Sequence, residues 1–413
     1  IKLILATKDN NPGARAGKAW AGYFRLRILR EDPEPGERNQ ASRLVLDGVK
    51  QWQSDFRNFR EPQGDDSLRL GLRMLQAEAT YDQSKAITAK DATAATTKNK
   101  LLAEARSYLR ELEQGDHEFT DPARNLKIQI VRDQGVFQRK LEQLNSFEDC
   151  FIRAQFEAME MERDPSREKD ASKLKSLREQ RSKLIIDSLI KGLDLDLKSA
   201  PALKATAWER GNARIFLAYF LDRAGQTEKA ADVSEGLCRN EPRAYQAEKA
   251  GILALQSLGQ AQQDREKNSG KEDKKNIELK NRIQSLADYL IRRWPDSAAG
   301  NAARHQQGLI AIRDRKLLNG VTLLGQIPDS YEGITFVRYQ LGLAALDLAA
   351  ETKDDKIRAR GILALEALTD QSQSEDPGAV LAYVLAKLRL ASEYYSAKRY
   401  ADVGQLASKI SAQ

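Results

Sequence analysis

The stretch His305-Gln306-Gln307-Gly308-Leu309-Ile310-Ala311-Ile312 returns 34 residues later as Tyr339-Gln340-Leu341-Gly342-Leu343-Ala344-Ala345-Leu346, with Gln, Gly, Leu and Ala at matching places. Recurrence at such a period marks a repeat architecture rather than one globular core. A small residue at a fixed position lets a neighbouring helix approach closely, and aliphatic residues three and four places away fill the seam. Related phrases stand at Gly251-Ile252-Leu253-Ala254-Leu255 and Leu70-Gly71-Leu72-Arg73-Met74-Leu75, and Gly361-Ile362-Leu363-Ala364-Leu365 copies the first of these letter for letter. Gly361 is out of the 34-residue register with Gly251. Either insertions break the register, or the phrase also serves on a second helix.

Working outward, the chain reads as helical nearly throughout. Ala, Leu, Arg, Lys, Glu and Gln dominate, and apolar residues recur at three- and four-residue steps. Runs of alternating β-branched residues are absent, so no sheet is expected. Prolines punctuate the helices at Asp32-Pro33-Glu34-Pro35-Gly36, Glu61-Pro62-Gln63-Gly64, Asp121-Pro122, Asp164-Pro165, Glu241-Pro242, Trp294-Pro295, Ile327-Pro328 and Asp376-Pro377. Residues 88–100 read as a loop or weak helix. Residues 162–183 read as a solvated helix with a narrow stripe of Leu174, Leu177 and Leu184. Residues 261–280, charged and centred on Asn268-Ser269-Gly270, read as a flexible insertion with its helix resuming near Ile277. The fold class expected is therefore all-α: an α-solenoid of stacked antiparallel helix pairs.

At this point the chain resembles the tetratricopeptide-repeat family. From Gly211 to Pro242, residues Leu217, Ala218, Leu221, Gly225, Ala230, Leu237 and Pro242 fall at that family's places, while Ser234 departs from its bulky residue. A second match runs from Val384 through Leu390, Ala391, Tyr394, Tyr400, Val403, Ala407 and Ile410, and Arg292-Arg293-Trp294-Pro295-Asp296-Ser297 looks like the inter-repeat turn of bacterial members. The resemblance covers residues 205–413. Residues 1–200 read as divergent helical hairpins in which no 34-residue register can be held, and residues 201–413 as the repeat array with its charged insertion. The resemblance implies a superhelix whose first helices line a concave groove for a peptide or partner helix. The candidate groove residues are His305, Gln306, Leu309, Tyr339, Gln340 and Leu343. Members that grip a C-terminal carboxylate do so with Lys, Asn and Arg on successive first helices. Here the matching positions are Ala302, His305, Gln306 and Leu309, then Phe336, Tyr339, Gln340 and Leu343, so that clamp is absent.

Composition narrows the function classes. The 413 residues carry 67 Lys+Arg against 60 Asp+Glu, a net charge of +7, with both signs spread along a chain that is 31% charged. Such mixing favours solubility and requires no polyanionic partner. No run of 18 apolar residues spans a membrane. Cys150 and Cys238 sit in apolar helical settings and read as buried structural thiols. The sequence opens at Ile1 without Met, as expected of a mature form or a piece of a longer protein. A bacterial cytoplasm or periplasm both fit, and a signal or anchor upstream of residue 1 is left open.

No catalytic constellation emerges, and neither a cofactor nor a metal is expected. His117 lies between carboxylates in Gln114-Gly115-Asp116-His117-Glu118, but a metal needs three or four converging ligands, so a solvated loop is expected. Asp194 with Asp196, and Asp354 with Asp355, are pairs of the kind that chance supplies in so charged a chain. Trp20, Tyr23, Phe24, Trp52, Phe56 and Phe59, interleaved with Arg25, Arg27, Arg57 and Arg60, could stack a single-stranded nucleic acid. Helical spacing makes them inter-helix core with arginines at the rim. The expected function is thus noncatalytic protein binding. The alternatives are an accessory domain of a larger enzyme or membrane-anchored protein, and a weakly basic nucleic-acid-binding repeat.

Overall fold

The computed structural model describes residues 2–6, 12–34, 37, 40–57, 59, 66–88, 91–114, 117–200, 204–269, 274–368 and 377–411. Among these every regular element is a helix and no strand occurs. Pro35, Gly36, Arg60, the turn signal at 61–64, Gly115, Asp116, Gly270 and Asp376 lie outside the described residues. The chain forms two compact units, Ile1–Ala205 and Thr206–Gln413.

The first unit contains α1 (Lys2–Ala6), α2 (Pro12–Glu31), α3 (Ala41–Asp55), α4 (Ser67–Ala86), α5 (Ala92–Leu112), α6 (Thr120–Asp133), two 3₁₀ turns (Val136–Gln138 and Leu141–Gln143), α7 (Phe147–Arg167) and α8 (Ala171–Lys198). Side-chain caps fix several starts: Asp91 accepts from Ala94 N, Ser146 from Asp149 N, and Asp170 from Ser172 and Lys173 N. Residues 92–100 are therefore firmly helical. Pro165 does not end its helix, which runs on to Arg167. Pro122 likewise sits in the first turn of α6, where the lost N–H has no intrahelical partner to miss. Leu174, Leu177 and Leu184 form the expected half-buried stripe on α8.

The second unit contains α9 (Ala207–Arg223), α10 (Thr227–Asn240), α11 (Ala247–Ser269), α12 (Lys274–Arg293), α13 (Ala298–Arg313), α14 (Leu317–Leu324), α15 (Ile334–Thr352), α16 (Asp355–Glu366), α17 (Pro377–Ser396) and α18 (Tyr400–Ser411). Thr206 and Glu209 form a capping box on α9, and Ser297 and Asp354 cap α13 and α16. The segment read as a flexible insertion is helical on both sides of residues 270–273. Ala261 and Gln262 are buried on α11, and Gln260 and Gln262 donate to Asp264 and Glu266 one turn on (2.8 and 2.7 Å). Amide-to-carboxylate pairs at i, i+4 spacing here support a helix rather than a loop.

Within each unit, neighbouring helices pack consecutively and alternate helices also touch. In the second unit α9, α11, α13, α15 and α17 form a row, with α10, α12, α14 and α16 wedged behind it. Ser257 Oγ donates to Asp222 across α11–α9 (2.7 Å), and Arg389 pairs with Asp347 across α17–α15 (3.3 Å). In the first unit α2, α4 and α6 make the same kind of row. Arg30 of α2 holds Glu78 and Asp82 of α4 (3.0 and 3.1 Å), and the Tyr81 hydroxyl of α4 donates to Asp133 of α6 (2.8 Å). Stability in such a row comes from nearest-neighbour interfaces.

Three helix pairs cross by one reciprocal device. At α13–α14, a Cβ on Gly308 would lie 2.6 Å from Leu324, four residues past Gly320, and a Cβ on Gly320 would lie 2.6 Å from Ile312, four residues past Gly308. At α15–α16, Gly342 receives Leu365 and Gly361 receives Leu346, with a Cβ on Gly361 only 2.9 Å from Leu346 Cγ. At α2–α3, Gly22 receives Trp52 and Gly48 receives Leu26. Residues i and i+4 share a helix face, so each glycine opens a notch that the partner's large side chain enters. This settles the two readings of the Gly361 phrase: it serves on a second helix. The first helices begin at Ala207, Ala247, Ala298, Ile334 and Pro377, so the pairs are also of unequal length.

Candidate functional site

The six candidate groove residues lie on two consecutive first helices, His305, Gln306 and Leu309 on α13 and Tyr339, Gln340 and Leu343 on α15. All are half-buried. Tyr331, in the connection between α14 and α15, meets the His305 ring edge-on with centroids 6.1 Å apart. Burial pushes the imidazole below its usual value, so it is neutral at neutral pH. Gln306 turns toward α11, its Nε2 3.1 Å from the place of a Cβ on Gly259. Tyr339 packs against a core of Leu346, Leu365, Leu368, Tyr383 and Leu390, and burial raises its phenol above the ordinary value. Tyr339 and Gln306 thus serve seams between helices. Leu309, Gln340 and Leu343 keep part of their surface open to solvent, and one turn beyond the two leucines stand Arg313 and Asp347, which pair with Glu266 and Arg389.

The aromatic cluster of the first unit is core. Tyr23 is buried, and Trp20, Trp52, Phe56 and Phe59 pack on Ala19, Leu26, Val45, Val49 and Leu68. Trp52 Nε1 donates to Ala19 O (2.9 Å). Phe24 is exposed, and Arg57 stands at the rim. His117 is not a free solvated side chain: it is half-buried, stacks near Phe119 and accepts at Nδ1 from Phe119 N (3.3 Å). Among the described residues no group of three His, Cys, Asp or Glu could hold a metal ion. Asp196 is buried and accepts from Ala205 N (2.6 Å), Asp194 pairs with Lys198 (2.6 Å), and Asp354 caps α16. Cys150 and Cys238 are fully buried in different units, their thiols pushed up to about 11 and about 12 by burial.

Two small clefts open between stacked helices. One, of about 160 Å³, lies between Glu266, Lys280, Arg313 and Asp314, which already pair with one another. The other, of about 180 Å³, lies among α2, α4 and the start of α6 and is walled by Tyr23, Arg27, Glu31, Glu78, Glu118 and Phe119. Burial raises the Glu78 carboxyl against the pull of Arg30. Both fall below the roughly 300 Å³ at which ligand pockets begin.

One buried polar feature went unread in the sequence. Lys127 of α6 is enclosed with Glu113, which follows α5 (2.6 Å), and Glu148 of α7 (3.3 Å). Arg106 of α5 joins Glu148 and Asp149 (2.7 and 2.8 Å) and donates to Gln134 (2.9 Å). Burial opposes ionisation of Glu148, yet Lys127, Arg106 and Arg110 together hold its carboxyl below the ordinary value. Its members come from separate helices and carry no shared spacing, so nothing in the sequence marks them.

No protein-family model matches the chain, and no curated protein does.

Proposed function

We propose that the chain is a noncatalytic scaffold, similar to tetratricopeptide-repeat arrays, that holds an extended peptide or a helix of a partner protein along the first helices of residues 205–413. The observation that carries this reading is the row α9, α11, α13, α15 and α17, which presents matching positions of successive pairs side by side. Uncharged positions such as Leu309, Gln340 and Leu343 suit apolar anchors and main-chain amides of a ligand. This is an argument from architecture to binding. Against a nucleic-acid reading stands the pairing of the basic residues. Arg30, Arg69, Arg106, Arg181, Arg265, Arg282 and Arg313 each face a carboxylate, so these seven do not offer a lone charge to a phosphate backbone. Among the described residues no helix is long and apolar enough to cross a membrane.

The test is a peptide-display selection on the full chain, with the enriched peptide then titrated by fluorescence anisotropy. Leu309→Asp and Leu343→Asp weaken binding about tenfold or more, the loss of about 1.4 kcal/mol or more. Leu363→Asp, on exposed surface of α16, leaves it unchanged. Binding indifferent to both groove substitutions refutes the proposal.

A further inference from the structure

Among the described residues, nothing covers one apolar face of α17. Leu381, Leu385, Leu388 and Tyr395 are 59%, 41%, 52% and 64% exposed, and Ser392 between them is exposed as well. The spacing 381, 385, 388, 392, 395 is a heptad seam along one side of the helix. The buried residues of α17, Ala382, Tyr383, Ala386, Leu390 and Tyr394, lie on the opposite side, against α15, α16 and α18. Tyr400, at the start of α18 and 59% exposed, extends the patch by meeting Tyr395 at 5.6 Å. In a chain that is 31% charged, the described exposed side chains of α17 include no charge. Its three charged residues lie off the seam. Lys387 covers the Tyr383 ring, and Arg389 pairs with Asp347 and Glu393.

The row of first helices says what such a face is for. Matching Leu390-Ala391 to Leu341-Gly342 places Leu385, Leu388, Ser392 and Tyr395 of α17 on Phe336, Tyr339, Leu343 and Leu346 of α15. On α15, Tyr339 and Leu346 are covered, packing with Leu365 of α16 and Tyr383 and Leu390 of α17. The two matched positions that are covered on α15, Tyr339 and Leu346, correspond to Leu388 and Tyr395, which are exposed on α17. We propose that a second copy of this chain covers them, α17 against α17 in antiparallel array about a twofold axis near Leu388. About that axis Leu381 meets the partner's Tyr395, Leu385 falls within one residue's rise of the partner's Ser392, and no like charges are brought into the seam. The three leucines and two tyrosines would bury roughly 600 Å² per copy, roughly 1,200 Å² in the pair, the lower end of specific interfaces. The seam lies on α17, at the end of the row of first helices, and its Leu388 and Ser392 match the groove positions Tyr339 and Leu343; Leu309 and Leu343 lie outside it, so the two proposals are tested by different substitutions.

The test is sedimentation velocity of the full chain from about 1 to about 100 μM. The wild type shifts from monomer to dimer over this range. Leu385→Glu and Leu388→Glu, both at exposed positions, keep the wild-type circular dichroism and melting profile and remain monomeric throughout. Leu363→Glu, equally exposed but on α16, still dimerises. Leu388→Cys gives a second readout. Its thiol on the twofold axis crosslinks two copies under mild oxidation, without interference from the buried Cys150 and Cys238, while Leu363→Cys does not. A wild type monomeric at the top concentration overturns the proposal, as does a dimer that survives Leu388→Glu. A higher oligomer that the seam substitutions leave intact overturns it too.

Discussion

Gly308→Ala adds one methyl group where the α13–α14 crossing has no room for it. The new Cβ would stand 2.6 Å from Leu324 Cδ2 and 2.8 Å from its Cγ, against about 3.5–4.0 Å for carbon atoms in comfortable contact. Leu324 is fully buried and its Cγ is not a free end, so the helices must part or the leucine must leave its rotamer. Overpacking of this kind costs about 1–3 kcal/mol. Replacing glycine by alanine in a helix interior gains about 1 kcal/mol. The net expectation is a loss of about 0–2 kcal/mol, and the control makes it decisive. Gly236, inside α10, has nothing within 4 Å of its would-be Cβ, so Gly236→Ala should gain about 0.5–1 kcal/mol. The two glycines should differ in sign or by about 1–3 kcal/mol in urea unfolding followed by circular dichroism. Truncating Leu324 to Ala costs about 2–5 kcal/mol by itself. In that background Gly308→Ala should turn stabilising, because its obstacle has gone. If Gly308→Ala behaves like Gly236→Ala, or its effect is the same with and without Leu324, the crossing is not as described.

Lys127→Met leaves Glu113 and Glu148 buried without their shared cation, and should cost about 3–5 kcal/mol in the unfolding transition of residues 1–205. Glu148 is held below the ordinary glutamate value of 4.5, so the folded state binds fewer protons there than the unfolded one. Its contribution is present above that value and lost as pH falls through the lower folded value; the acid limb of a stability profile should therefore flatten in Glu148→Gln. Raised thiol values of about 11 and about 12, with full burial, predict that neither Cys150 nor Cys238 reacts with a thiol reagent at about pH 8 until the protein unfolds. Burial depresses His305, so its protonation favours the unfolded state. The second unit should lose stability as pH drops below 6.5, and His305→Gln should remove that loss.

How far the sequence discloses this architecture depends on the reach of each signal. The Gly308 and Gly342 phrases are legible because a helix seam needs a small residue with aliphatics one turn away, a constraint local to one helix. The same local chemistry misleads about register. Gly361 carries the phrase on α16, and Gly22 and Gly48 carry the device into the first unit without a fixed period, because unequal helices and connections separate them. Residues 261–269 looked like a linker by charge alone, whereas their i, i+4 pairing extends α11. Pro165 reads as a stop, but its helix continues two residues past it, to Arg167. On the groove side, position on α13 and α15 follows from the repeat, but the sequence does not disclose that Gln306 leans on α11 or that Tyr339 enters a core, since both depend on neighbours distant in sequence. The seam of α17 is periodic in the sequence, yet apolar periodicity alone reads as core; only the positions of α15, α16 and α18 show that this face is bare.

The central claim is that helix pairs in both units cross through reciprocal glycine notches and stack in rows. Methyl-detected nuclear Overhauser spectroscopy on selectively labelled protein tests it most directly. Cross-peaks should join Gly308 to Leu324, Gly320 to Ile312, Gly342 to Leu365, Gly361 to Leu346 and Gly48 to Leu26. Absence of either member of the α13–α14 or α15–α16 reciprocal pairs contradicts it.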